Sequence, residues 1–536
     1  MLKFLTLPGC FRQMAFVLSL VLTGLAGEPA GAQQMTAFKQ AVAGAAAQDE
    51  DIAAFFRSRD YKPFWTAANA QAKRQALIAA LSSAADHGLP ASRYDVPDLI
   101  EQMKAADTSR ARGEIEVTLS RIFLQYARDV QTGMLTPSRV DGGIVREVPY
   151  RDRQAYLGDL AKSAPHAFFR ALPPQSNEYA RLLKEKKRIE ELLGTGGWGA
   201  RVPATTLEPG DKGNGVVALR NRLIAMGFLP RSATQTYDAQ LQAAVQRFQQ
   251  AHGLEDDGVA GAGTIEQLNI DPAERLKSVL VALERERWLN MERGKRHILV
   301  NLTDFSAKII DDDVVTFETR SVIGAVNSDK RTPEFSDMME YMEINPDWTV
   351  PRGIIRRDYL PALQRNPNAL AHLQVVDSRG RIVPRGQVNF ARYTARTFPF
   401  NLRQPPSRNN ALGTVKFMFP NKYAIYLHDT PDKNLFLRET RAYSSGCVRL
   451  HQPYDFAYAL LKRQEADPVT FFQSILKSGR QTRVNLDQPV PVHLIYRTAF
   501  TRAKDHMQYR RDVYGRDARI WAALSQAGVA LRADQS

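Results

Sequence analysis

Near Arg275 the hydrophobic pattern of the chain changes period, and no single layer of secondary structure satisfies both halves. Before that point apolar residues recur at three and four positions. Examples are Gln71 to Ala85 and Glu114 to Val130, the latter placing Ile115, Leu119, Ile122, Phe123, Tyr126 and Val130 on one helical face. After a helical stretch from Leu276 to Met291, short runs alternate instead: His297 to Leu302, Ala307 to Ile310, Val314 to Phe317 and Arg320 to Gly324, parted by Asp-rich turns. That spacing predicts an antiparallel sheet. A chain of 536 residues also exceeds one ordinary core. The fold class expected is therefore multi-domain α+β, helical first and mainly β afterwards.

Within the helical half, Gly88-Leu89-Pro90 and Gly133 to Pro137 separate the helices, and the pair Phe64-Trp65 is expected in the core. A Gly-rich break from Gly194 to Gly199 reads as a linker. The compact unit beyond it opens at Gly210-Asp211-Lys212-Gly213, carries a helix ending at Gly227 and a second ending near Gly253, and closes after Asp257-Gly258-Val259-Ala260-Gly261 and Thr264 to Leu268. Asp211 and Arg220 could be no more than its solvated face. In the β half the strand pattern lapses between Pro351 and Gly413, with helical signals at Ile354 to Leu363. Long structureless loops are uncommon, and Trp348, Tyr359 and Phe398 argue against disorder, so an inserted subdomain covering the site is expected. Strands resume at Val415 to Phe419 and Ala424 to Leu427, the second running directly into His428. A helix from Gln452 to Leu461, a strand from Val490 to Tyr496 and a short closing helix complete the chain.

Lys3 and Arg12 precede an apolar run from Met14 to Leu25, followed by Pro29 and Ala30-Gly31-Ala32. This is the pattern of a secretory signal, residues 1–32, cleaved after Ala32, and the run is short for a membrane span. Cys10 leaves with it, so Cys447 stands alone in an exported protein. Exported chains use cysteines in pairs, and an unpaired one points to a reactive thiol or an intermolecular bond. A formal charge of +15 favours anionic partners. No zinc-finger spacing or aromatic-basic repeat supports nucleic acid, whereas a polyanionic envelope polymer fits the charge and the export signal.

The chemistry gathers at Tyr426-Leu427-His428-Asp429-Thr430 and Ser444-Ser445-Gly446-Cys447-Val448-Arg449. A thiol attacks when a neighbouring base makes it a thiolate, and a small residue before it lets a carbonyl approach. His428 and Gly446 would supply these conditions, with backbone N–H groups at Gly446 and Cys447 holding the oxyanion. The planar fork of Arg449 suits a substrate carboxylate, the alternative being a structural pair with an acid such as Asp455. Tyr426 lies two positions before His428 and so on the same strand face. The nine histidines lack metal-ligand spacing, and neither a metal nor another cofactor is called for.

Two resemblances give these residues a context. The unit after the linker resembles the peptidoglycan-binding domain 1 family in its Gly-Asp-Lys-Gly opening, its Phe-Gln-Gln-Ala-His-Gly-Leu run and its Asp-Gly-Val-Ala-Gly turn. The resemblance implies a three-helix wall-targeting module, the bland alternative being a helical spacer. The region around Cys447 resembles the L,D-transpeptidase catalytic domain of the YkuD type in His428, Thr430, Ser444, Gly446, Cys447 and Arg449, in Asn345 to Pro351 and in Asn410 to Gly413. Ser445 stands where the family motif commonly has histidine, and Asp429 where glycine is frequent; a backbone carbonyl is then expected to orient the His428 imidazole. The order of parts is similar to large Gram-negative members: a helical scaffold domain over 33–200, the peptidoglycan-binding domain over 201–272 and a catalytic domain over 273–536, with a lid insertion at about 351–413.

The resemblance implies a periplasmic, wall-associated enzyme forming 3→3 cross-links between peptidoglycan stem peptides through a Cys447 thioester, with loss of D-alanine. Cys447, His428 and Gly446 would be catalytic. Arg449, Tyr426, Trp348, Ser445, Ser444 and Thr430 would meet substrate, Trp348 being as well suited to core packing. Partners would be peptidoglycan stem peptides and glycan, and other wall-synthesis enzymes. Water as acceptor would make a carboxypeptidase and a lipoprotein lysine an anchoring enzyme, while a non-catalytic wall-binding scaffold is the alternative of another class.

Overall fold

In a computed structural model of the chain the described residues are 36–502 and 505–531. The signal expected over residues 1–32, with Cys10, lies outside them. Among the described residues no helix is long and apolar enough to cross a membrane.

The axis of the first unit is the helix Ser109–Thr132, capped by the Thr108 hydroxyl on the Ala111 N–H. Its foreseen apolar face is buried, with Ile122 only partly so. Helix Ala37–Ala46 crosses it at Gly113, where a Cβ would stand 2.6 Å from the Phe38 carbonyl; only glycine allows this approach. Phe64 and Trp65 lie in the core as expected. The backbone N–H groups of Phe64, Trp65 and Thr66 all donate to the buried carboxylate of Glu116.

The second unit consists of helices Asn214–Ala225, Ala239–His252 and Ala262–Leu268 around Leu219, Leu223, Val245 and Phe248. Gly253 ends the middle helix in the left-handed conformation at φ 65°. Arg220 is not on a solvated face. It is 1% exposed, donating to the Ser232 hydroxyl and the Thr236 carbonyl and pairing with Asp238.

Helix Pro272–Trp288 is the spine between the units: it packs against Asn177–Gly194 of the first and against the closing helix Arg516–Gln526. It is buried nearly all round, including Glu284, Arg285, Glu286 and Arg287. These charges are paired: Arg285 with Glu334 and Asp517, Arg287 with Glu284, and Glu286 with Arg497 and Arg293.

The β unit is a mixed sheet in the order Ala442–Ser444, Val314–Gly324, Val448–Leu450, Leu427–His428, Val415–Met418, Phe335–Ile344, Thr482–Ile495, Arg296–Asn301, Ser306–Asp311. Ser306–Asp311 pairs again with Val314–Gly324, so the sheet closes into a barrel and only Ala442–Ser444 stands outside the ring. Two features differ from the antiparallel expectation. The runs from Val314 and Arg320 are one continuous strand, and three pairings are parallel: Arg296–Asn301 with Thr482–Ile495, Leu427–His428 with Val448–Leu450, and Ala442–Ser444 with Val314–Gly324. Parallel pairing needs a crossover, here supplied by long excursions.

The excursion between Ile344 and Val415 is a folded subdomain with its own core of Trp348, Leu360, Leu363, Leu402 and neighbours. Helical structure runs from Arg352 to Arg365 as foreseen. The lapse in strand pattern was misleading, because a small sheet is present in the order Trp348–Thr349, Asn401–Gln404, Gln374–Val376, Ile382–Val383. Strands of two to four residues are too short to show an alternation. The Arg357 guanidinium ties this subdomain to the barrel loop at Asp329, 2.7 Å away.

Candidate active site

His428 and Cys447 are brought together by a pair of very short strands. Leu427 pairs with Val448 and His428 with Arg449, in parallel, while the other edge of Leu427–His428 pairs with Phe417 and Lys416. The base is thus fixed from both sides, and the cysteine sits one residue before the partner strand begins. Before the strand, Asn421 ties a tight turn by donating to the Phe419 and Ile425 carbonyls and accepting from the Tyr423 and Ile425 N–H groups. The turn holds Ala424 at φ 54°. Its carbonyl accepts from the Cys447 thiol at 3.6 Å.

The Nδ1–H of His428 donates to the carbonyl of Asp429. The orienting group is therefore a backbone carbonyl, and Nε2 is left as the basic nitrogen. The Asp429 side chain turns away from the imidazole: one oxygen accepts from the Thr414 N–H and hydroxyl, the other from Lys433 at 2.7 Å. Gly413, at φ 61°, lets that carboxylate come close, since a Cβ there would lie 2.3 Å from it.

Electrostatics set the resting state. Burial, and then the Arg449 guanidinium, push the His428 imidazole down to about 3. Burial pushes the Cys447 thiol up to about 11, against the opposing effects of Tyr426, Arg449 and Lys416. In both groups burial favours the neutral form. The low-dielectric site disfavours each charge separately. Tyr426 bridges the neighbourhood: its hydroxyl interacts with the thiol and with the Trp348 indole, burial holds it protonated far above the usual tyrosine range, and its ring lies 5.6 Å from that of His428.

The loop before the cysteine is a self-contained brace. Gly446 is at φ 125°, where a Cβ would lie 3.1 Å from Ile425 Cδ1. The Gly446 N–H donates to the Ser444 hydroxyl at 3.1 Å, and that hydroxyl donates to the Cys447 carbonyl at 2.5 Å. The Gly446 carbonyl accepts from the buried Thr332 hydroxyl at 2.7 Å, and Thr332 also accepts from the Gly324 N–H. Thr332 was missed from the sequence because nothing near it signals a partner more than a hundred residues away.

The other foreseen residues fall into two groups. Arg449 is bonded to Asp432 at 2.9 Å rather than to Asp455, and its Nε has no hydrogen-bond partner among the described residues. Ser445 is exposed beside the thiol. Ser444 and Thr430 are buried and bonded within their loops, the Thr430 hydroxyl accepting from the Asp432 N–H. Trp348 is 7% exposed in the subdomain core, edge-on to Tyr359, and reaches the site through Tyr426. Among the described residues no group of three or more His, Cys, Asp or Glu side chains could hold a metal.

Comparison with known proteins agrees with this layout. Residues 295–483 match the model of the YkuD L,D-transpeptidase catalytic domain, residues 212–268 that of a peptidoglycan binding domain and residues 50–185 that of a scaffold domain. A Haemophilus influenzae protein with the name "Putative L,D-transpeptidase" is 32% identical over 225 residues, 42% of this chain and 45% of that relative, so the match spans less than half of its length. Solved L,D-transpeptidases of Xylanimonas cellulosilytica and Stackebrandtia nassauensis align at 13% and 14% identity, each covering 55% of this chain and 98% and 97% of their own. Their TM-scores of 0.18 and 0.21 are too low to bear on the fold. Behind a scaffold domain and a peptidoglycan binding domain, residues 295–483 are an L,D-transpeptidase catalytic domain of the YkuD family.

Proposed function

We propose that the chain is a cysteine-dependent L,D-transpeptidase that joins peptidoglycan stem peptides by 3→3 cross-links, exported to the periplasm and held at the wall. The observation that carries this reading is the neutral His428 imidazole, with Nδ1–H fixed on a carbonyl and Nε2 left basic, on a strand paired in register with the one that follows Cys447. The Cys447 thiol attacks the carbonyl between the third residue of a tetrapeptide stem and its terminal D-alanine, and its proton passes to His428 as the C–S bond forms. Because both groups start neutral, the charge pair arises only as the thiol attacks.

The Gly446 N–H is already committed to Ser444, which leaves the Cys447 N–H to hold the oxyanion. One such donor is typically worth about 3 kcal/mol. The amide C–N bond then breaks, and His428 returns its proton to the departing amine of D-alanine. An amine of a neighbouring stem's diamino acid attacks the thioester, the C–S bond breaks, and the amine's proton returns through His428 to sulfur. Arg449 and Tyr426 are the proposed substrate contacts on this face.

Purified disaccharide-tetrapeptide tests the reading. Wild-type protein is expected to produce dimer and free D-alanine by mass spectrometry, and Cys447→Ala neither. Dimer from Cys447→Ala would contradict it, and hydrolysed tripeptide alone from the wild type would make the chain a carboxypeptidase.

A further inference from the structure

Ala424 is exposed and lies in the left-handed region at φ 54°, a conformation that a residue with a Cβ keeps only where its surroundings over-determine it. Here the surroundings are chiefly one side chain. Asn421 donates through Nδ2 to the Phe419 carbonyl at 2.6 Å and the Ile425 carbonyl at 2.8 Å, and its Oδ1 accepts from the Tyr423 N–H at 3.0 Å and the Ile425 N–H at 3.2 Å. Both amide hydrogens and both lone pairs are thus spent within residues 419–425, and Asn421 has nothing left to offer a ligand.

The last of these bonds decides where a neighbouring oxygen points. The Ala424 carbonyl and the Ile425 N–H belong to one planar trans peptide, whose two polar ends face opposite ways. With the N–H end fixed on Asn421, the carbonyl end is turned onto Cys447, whose thiol donates to it at 3.6 Å. The N–H and the hydroxyl of Tyr426 approach the same sulfur, and among the described residues no hydrogen bond joins it to His428. The resting thiol therefore has an acceptor for its proton and donors for its lone pairs. A sulfur anion in the same position would face the carbonyl oxygen, so the arrangement suits the protonated form.

We propose that Asn421 is a positioning residue for the nucleophile: by fixing the Ile425 N–H it aims the Ala424 carbonyl at Cys447 and holds the resting thiol protonated until a donor carbonyl arrives. The inference rests on the transpeptidase reading for what the thiol does next, and adds to it how the thiol is held before. When the donor enters, the S–H turns from the Ala424 oxygen to Nε2 of His428, and the proton passes there as the C–S bond forms. Until then the thiolate, the form that oxidants and alkylating agents attack, is suppressed. For Cys447, a free cysteine, that is protection as well as aim.

The S–H stretching band in the infrared reads this bond in a window clear of other protein absorptions, and Cys10→Ser in the full chain makes Cys447 its only thiol. With Asn421 in place the band is expected at lower frequency than that of cysteine in water. Asn421→Ala should move it to the position of cysteine in water and speed alkylation by iodoacetamide at neutral pH about tenfold, the ratio for losing one ordinary hydrogen bond. Asn421→Asp still accepts from both N–H groups but cannot donate to the two carbonyls. It should melt lower, yet keep the band and alkylate no faster than the parent chain. Mere bracing of the turn would instead make the two variants alike. A parent band at the position of cysteine in water, a band unmoved in Asn421→Ala, or one lost equally in Asn421→Asp would overturn the proposal, and the first of these needs no variant to fold. No substrate enters these measurements, so a chain that shows the displaced band but releases no D-alanine from disaccharide-tetrapeptide would overturn the transpeptidase reading and leave the thiol's restraint standing.

Discussion

At the scale of single residues the site is poised by burial. The Cys447 thiol at about 11 and the His428 imidazole at about 3 leave no stable ion pair between them. Two outcomes follow from the signs. Ultraviolet titration of the free protein should show Cys447 thiolate only as pH approaches 11, and acylation should stay flat between about pH 6 and 8, where an ordinary imidazole titrates. A full thiolate signal at neutral pH would contradict this. His428 also affects stability. Its folded-state value lies below its unfolded one, so the unfolded chain binds the extra proton, and this group's contribution is complete above about 6.5 and lost as pH falls toward 3. Gly446 makes the second case, since at φ 125° any side chain is strained by about 1–3 kcal/mol. Gly446→Ala should slow acylation by about a hundredfold with an unchanged circular dichroism spectrum, because a small displacement of a nucleophile is costly. An unimpaired variant would mean that the loop tolerates movement.

At the scale of elements, the catalytic loop is held from behind by Thr332, which joins Gly446 to Gly324. Thr332→Val leaves a buried carbonyl and a buried N–H unpaired, at about 1–3 kcal/mol each. The variant should melt lower and acylate more slowly, both visible in one thermal and kinetic series; a wild-type melting temperature would show the hydroxyl to be dispensable. How much of this was legible varies by element. The helix Ser109–Thr132 was readable because its pattern is local, and His428 and Cys447 because residue type and neighbours carry the chemistry. Barrel closure was not, since beyond the local hairpin of Ser306–Asp311 with Val314–Gly324 it depends on strands far apart in the chain: Val314–Gly324 with Val448–Leu450, and Arg296–Asn301 with Thr482–Ile495. The parallel pairing of Leu427–His428 with Val448–Leu450 was equally hidden, because strand patterns carry no direction. The loop bonds of Ser444 and Thr430 were hidden for a related reason: a hydroxyl near a nucleophile looks the same in sequence whether or not it braces a turn.

At the scale of the whole molecule, the scaffold domain and the barrel share one buried charge network. Glu334 of the barrel pairs with Arg285 of the spine helix and Arg516 of the closing helix, both almost wholly buried, while Arg516 also reaches Asp141 of the helical unit. Glu334→Gln removes the carboxylate shared by two buried guanidinium groups, leaving Arg285 with Asp517 and Arg516 with Asp141, and breaking a buried pair typically costs about 3–5 kcal/mol. The variant is expected to lower the melting temperature of both units together in one calorimetric transition; separate transitions with only the barrel shifted would show the units to be independent. All of this architecture converges on one sulfur atom, and the most direct test is the mass of the intact protein after brief mixing with disaccharide-tetrapeptide. The account predicts an adduct equal to the donor less D-alanine, located on the Cys447 peptide, discharged by an amine acceptor and absent from Cys447→Ala. Dimer forming with no adduct at Cys447, or an adduct on another residue, would contradict it.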